Sequence, residues 1–134
     1  MAEGNGEGRV LGIGGIFLRT DDPGGMAAWY RDNLGIVVTA AGQPDPEGNW
    51  TWRQDAGDTV FSMFERKTDY FPADRQVMLN LRVSGLDALV ARLSAAGIGA
   101  ERRDEWDHPD IGRFARIHDP EGNPIELWEP PTLE

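Results

Sequence analysis

Glu126 is the residue of this chain whose type and setting first invite chemistry. It lies in HDPEGNPIELWEP, His118 to Pro130, inside an alternating strand pattern that follows a tight turn. A carboxylate buried at such a place needs a proton, a cation or several hydrogen-bond donors. Arg19 in IFLRT and Arg82 in VMLNLRV are the candidate cations. The two histidines offer less. His118 precedes Asp119-Pro120 and reads as an exposed strand end rather than a catalytic base. His108 lies in DEWDHPD, whose carboxylates read as solvated acids rather than a cation site. The chain has no cysteine, so thiolate nucleophiles, disulfides and cysteine metal sites are excluded. No Ser-His-Asp order and no nucleotide fingerprint is present, and the glycines of LGIGGI do not open a helix.

Composition narrows the partners. The 134 residues suffice for one core-bearing domain, and 40% of them are hydrophobic. The net charge of −10 argues against nucleic acid, whose phosphates require a basic stripe, and against anionic membranes. No apolar run has the length of a membrane span. The start, MAEGNGEGRV, is acidic and Gly-rich, unlike a signal peptide. Residues 1–10 therefore read as a disordered tail, and a cytoplasmic location is the default expectation.

Two elements must position these groups, and they repeat. In LGIGGIFLRTDDPGGMAAWYRDNLG, a strand leads to Asp22 as N-cap, Pro23 at the first helical position and Gly35 as the stop. In QVMLNLRVSGLDALVARLSAAG, a strand leads to Ser84 and Asp87 as a capping box, then the stripe Leu86, Leu89, Val90, Leu93, then Gly97. Strand signals follow each helix. After the first come IVVTA, NWTWRQ and TVFSMFE. After the second come GAERR, RFARIH and PIELWE, the last two joined by the turn Asp119-Pro120-Glu121-Gly122-Asn123. Each half reads βαβββ, with module one at about 11–66 and module two at about 76–130 of a single domain over 11–130.

Alternation then sorts the side chains. Val77, Leu79, Leu81, Val83, Ile125 and Leu127 form an aliphatic face suited to burial beneath the helices. The opposite face carries Phe17, Arg19, Ser62, Phe64, Met78, Asn80, Arg82, Glu126 and Trp128. Apolar walls with a few convergent polar groups suit a small-molecule pocket. The plainer alternative is a partly wet sheet face covered at a subunit contact.

The paired βαβββ pattern, the opening LRTDDPGGMAAWYRDNLG and the closing DPEGNPIELWEP resemble the vicinal oxygen chelate superfamily, over roughly Leu11 to Pro130. Its members include glyoxalase I, extradiol dioxygenases, fosfomycin-resistance enzymes and bleomycin-resistance proteins. The resemblance implies an α+β fold: two βαβββ modules forming a curved mixed sheet, with a concave cavity and helices outside. It also implies four metal-ligand positions on the first, fourth, fifth and eighth strands. These fall on Gly15, near Ser62, on Met78 and on Glu126. Only Glu126 suits a hard divalent ion, so no metal and no other cofactor is expected. Arg19 falls where glyoxalase I enzymes carry an arginine that contacts substrate.

The expected function is a glyoxalase/bleomycin-resistance-like protein that binds a small molecule without the family metal. If it is an enzyme, Glu126 is the candidate catalytic residue, acting as proton acceptor. The alternatives are a metal-dependent lyase or dioxygenase, and a non-catalytic protein that sequesters a drug or metabolite. A homodimer is expected, because the aromatic content exceeds what two helices can cover.

Overall fold

A computed structural model describes residues 8–131, so most of the tail expected over 1–10 lies outside the described residues. The fold is α+β. In chain order it comprises α1 (Pro23–Leu34), β1 (Leu79–Arg82), α2 (Leu86–Ala95), a short 3-10 turn (Asp104–Trp106), β2 (Arg113–His118) and β3 (Pro124–Glu129). The three strands form one mixed sheet in the order β1-β3-β2, with β1 parallel and β2 antiparallel to β3.

The first helix forms as its punctuation dictates. The Asp22 carboxylate accepts from the Gly25 amide at 3.0 Å, Pro23 opens the helix, and Gly35 closes it in the left-handed region at φ 68°. The second helix starts differently from the expected capping box. Its N-cap is Gly85, which has no side chain to offer. The missing acceptor comes from the end of β3, where Glu129 receives the Gly85 and Leu86 amides at 3.1 and 3.4 Å. Asp87 turns to Arg102 and Arg113 instead, because two guanidiniums outbid a neutral amide for its charge. The helix ends in a Schellman turn: Gly97 donates to Ser94 O at 3.0 Å, and Ile98 donates to Leu93 O at 2.9 Å.

Both helices cover one sheet face. Met26 and Tyr30 of α1 and Leu86, Leu89 and Leu93 of α2 pack with Ala115, Ile117, Ile125 and Leu127 in a single core. Each fully buried leucine or isoleucine contributes roughly 1.5–3 kcal/mol of transfer free energy. Leu89, Leu93, Ile125 and Leu127 are buried as the alternation requires, while Leu79, Leu81 and Val90 are half-buried at its margin.

The second half forms its helix and three of the four expected strands. Its short strand GAERR contracts to one bridge, in which Glu101 and Arg116 exchange both backbone hydrogen bonds at 2.9 Å. In the first half only the helix matches. IFLRT, IVVTA, NWTWRQ and TVFSMFE run as irregular chain, apart from a bridge between Ala40 and Gln43. Among the described residues the sheet has three strands, where two modules led us to expect eight. The physical reason is pairing. A strand persists only with a ladder partner and a covered face. In module two a tight turn and the α2 crossover supply both. Among the first-half segments only IVVTA has any of this, with Ile36 and Val38 packed against the core and one bridge from Ala40 to Gln43, while Phe17 and Phe61 stand 93% and 82% exposed.

Candidate functional site

The face of the sheet opposite the helices carries a row of polar side chains. Strand register sets Asn80 of β1 and Arg116 of β2 on either side of Glu126 of β3. The hairpin turn fixes the second of these pairs. Asp119 N donates to Asn123 O at 3.0 Å, and the Asp119 carboxylate accepts the Glu121 and Asn123 amides, both at 2.9 Å. With His118 opposite Pro124, two steps back along each strand bring Arg116 opposite Glu126.

Glu126 is buried, at 8% exposure, and both of its oxygens are engaged. Asn80 Nδ2 donates to Oε1 at 2.8 Å, and the Tyr70 hydroxyl donates to Oε2. Tyr70 comes from the loop before β1. Arg75 anchors that loop to the hairpin by donating to Glu121 O at 2.7 Å and Gly122 O at 3.3 Å. Burial and the neighbouring Glu126 carboxylate push the Tyr70 phenol up to about 12, with Arg116 opposing the shift. The hydroxyl therefore stays protonated and remains a donor to Glu126 throughout the neutral range.

Aromatic rings roof this row. Phe64 stacks on Tyr70 with centroids 5.5 Å apart, and Trp106 meets Tyr70 edge-on at 5.7 Å. The Arg116 guanidinium lies 4.7 Å from the Tyr70 ring centroid and 5.4 Å from that of Trp106. Arg116 is only 5% exposed, and its buried Nε and Nη2 atoms have no hydrogen-bond partner among the described residues. Farther along the face Trp128 stacks on Phe114 at 6.5 Å and donates to Ile111 O at 2.8 Å.

The predicted site residues divide into three sets. Asn80 and Phe64 join Glu126, one directly and the other through Tyr70. Trp128 and Arg82 share the face, one register step away, and Met78 is half-buried just before β1. Phe17, Arg19 and Ser62 stand exposed on the irregular first half. Among the described residues no hydrogen bond or ion pair links Arg19 or Ser62 to Glu126, and no ring contact involves Phe17.

The expected pairing of Glu126 with Arg82 or Arg19 does not form. Arg82 is in register with Trp128, two residues along β1 from Asn80, and that spacing is roughly 6–7 Å of strand. Its guanidinium instead donates to Asp55 O at 2.9 Å and Ala56 O at 3.4 Å, over Gly57. The base beside Glu126 is Arg116, which RFARIH signals: alternation puts Phe114, Arg116 and His118 opposite Ala115 and Ile117. Tyr70 and Trp106 lie outside any periodic run and carry no such signal.

Of the positions where the resemblance implies metal ligands, Glu126 alone carries a carboxylate. Glu126 faces neutral donors rather than further anionic ligands, Gly15 has no side chain, and Met78 offers a thioether. Among the described residues no group of three or more His, Asp or Glu side chains gathers as a ligand set. No described helix is long and apolar enough to cross a membrane.

Several solved structures are similar to this chain. TnmS3, an antibiotic binding protein from Streptomyces sp. CB03234, is 29% identical over 78% of this chain and 84% of its own, with a TM-score of 0.46. A glyoxalase/bleomycin resistance protein from the same strain is also 29% identical, over 75% and 85% of the two chains, with a TM-score of 0.42. A lactoylglutathione lyase from Agrobacterium tumefaciens is 24% identical over 87% and 94%, with a TM-score of 0.49. Among curated proteins none matches. Residues 15–128 match the family described as the glyoxalase-like domain, which spans both halves and the whole Glu126 row. The chain belongs to that family, and with it to the vicinal oxygen chelate superfamily.

Proposed function

We propose that this protein binds a small molecule on the sheet face that carries Glu126, without the divalent metal of its superfamily. One observation carries the reading: Glu126 is buried in the middle of the sheet with both oxygens held by neutral donors, Tyr70 and Asn80, beneath aromatic rings. Such a carboxylate has no part in the core on the other face. It can take a ligand donor in exchange for the Tyr70 hydroxyl. Tyr70 sits on a loop outside the sheet ladder, so displacing it would break no strand hydrogen bond.

We assign the opposite wall of the proposed pocket to module one. Phe17, Arg19 and Ser62 complete it when the first-half segments pair as strands and close a concave face. The exposed Ile16, Phe17, Phe61 and Met63 supply the driving force, since apolar surface on this scale is stable only when covered. A second copy of the chain can supply the same cover, which is the basis for proposing a homodimer. Light scattering at micromolar concentration tests it: a monomer mass would sink the dimer.

The test of the site is a metabolite screen by thermal shift and tryptophan fluorescence on wild type, Glu126→Gln and Arg82→Ala. We expect Glu126→Gln to lose the stabilisation given by a wild-type ligand, and Arg82→Ala to keep part of it. Ligands that act alike on all three proteins would show that the pocket is misplaced. Metal analysis of protein purified without chelator tests the other half. An equimolar transition metal, lost in Glu126→Gln, would restore the metal-dependent lyase or dioxygenase reading.

A further inference from the structure

Arg116 is unusual even within this site. Nε and Nη2 form the side-on edge of a guanidinium, the two parallel donors that one carboxylate bridges. Among the described residues those two buried atoms have no hydrogen-bond partner. The nearest candidate, Glu126, stands in register opposite, but its oxygens belong to Tyr70 and Asn80, and no ion pair joins it to Arg116 among the described residues. A buried guanidinium with an empty fork is costly unless an acceptor arrives. The rings of Tyr70 and Trp106 face the Arg116 charge, and Arg116 also opposes the upward shift of the Tyr70 phenol, but the Tyr70 hydroxyl is a hydrogen-bond partner of neither Nε nor Nη2.

We propose that Arg116 recognises an anion, and that the ligand is a flat aromatic carboxylic acid. Its carboxylate bridges Nε and Nη2, and its ring takes a place among Phe64, Tyr70 and Trp106. The proposal deepens the small-molecule reading above and rests on it. A carboxylate is favoured over a phosphate for two reasons. Two coplanar donors match two coplanar oxygens. A dianion would also meet the Glu126 carboxylate one strand away, whereas a monoanion leaves Arg116 and the two carboxylates closer to balance. Access needs no change in the sheet. Tyr70 lies on a loop and Trp106 on the 3-10 turn, outside the ladder that holds Arg116 on β2.

The experiment uses two probes of the same shape, 2-naphthoate and neutral 2-naphthamide, titrated calorimetrically at neutral pH into wild type, Arg116→Lys, Arg116→Gln and Glu126→Gln. The expected result is that naphthoate binds wild type about tenfold or more tightly than naphthamide. Arg116→Lys keeps the charge but loses the fork, and should erase most of that preference. The wild-type comparison needs no variant to fold. Equal affinity for the two probes overturns the proposal, as does a preference that survives Arg116→Lys and Arg116→Gln. If naphthamide binds and weakens in Glu126→Gln, the small-molecule reading stands even when the anion proposal fails. If neither probe binds at millimolar concentration, both fail.

Discussion

Arg116 and Glu126 are cross-strand neighbours in the middle of the sheet, yet no ion pair joins them among the described residues. Opposed residues in an antiparallel ladder have Cα atoms roughly 4.5–5.5 Å apart, close enough for the charges to stabilise each other without contact. Glu126 spends its lone pairs on Tyr70 and Asn80, and Arg116 lies against rings. The loop that carries Tyr70 therefore decides how this charge pair is dressed.

The first prediction concerns Tyr70, whose phenol is raised from 10.0 to about 12. A group raised in the folded state adds stability that is fully present below its unfolded value and is lost as pH rises through its folded one. The stabilisation should therefore hold below about pH 10 and fade between about 10 and 12. Tyr30, the other of the two tyrosines, is shifted upward as well, by burial and by Asp119. Absorbance at 295 nm should accordingly show no tyrosine ionising near its ordinary value until the chain unfolds. Tyr70→Phe should flatten the alkaline fall in melting temperature without abolishing it. An ordinary midpoint for both phenols would refute the assignment.

Asp119 is the knot of the hairpin that sets the Glu126 register. It accepts four hydrogen bonds: from the Glu121 and Asn123 amides, from Asn123 Nδ2 at 2.9 Å, and from the Tyr30 hydroxyl of α1 at 2.6 Å. Asp119→Ala should cost on the order of 2–4 kcal/mol in urea unfolding, and Tyr30→Phe about 1–2 kcal/mol. A loss under about 0.5 kcal/mol for Asp119→Ala would mean that the turn holds without it.

Glu129 caps α2 from outside the helix. Glu129→Ala removes the acceptor for the Gly85 and Leu86 amides and should destabilise the fold by about 0.5–2 kcal/mol. Asp87→Ala, by contrast, loses only exposed pairs with Arg102 and Arg113 and should cost less than Glu129→Ala. Chemical denaturation of the two variants side by side checks the ranking, and the reverse order would point to Asp87 as the effective cap.

Leu93 is 1% exposed beneath the sheet. Leu93→Ala should lose about 2–5 kcal/mol, the cost of transfer plus the cavity left behind. Leu81→Ala, at the half-buried margin, should lose less. Thermal melts that ranked the two equally would contradict the placement of the core.

What the sequence by itself determined is local. Asp22, Pro23 and Gly35 bound α1, the Asp119-to-Asn123 turn joins β2 to β3, and period-two alternation sends Ile125 and Leu127 to the helices and Glu126 to the other face. Each of these follows from backbone preferences or side-chain direction within a few residues. Arg116 was legible by the same rule, because the turn fixes its register with Glu126. Tertiary structure alone decided the rest. Tyr70 reaches Glu126 across 56 positions from an aperiodic loop, and Glu129 caps a helix 43 or more positions earlier. Arg82 is drawn to the carbonyls of Asp55 and Ala56. No local pattern encodes such contacts, since they depend on which loop packs over which strand. The first-half segments show the same limit from the other side: their strand propensity is plain, but a strand exists only where a partner completes its hydrogen bonds and covers its apolar face.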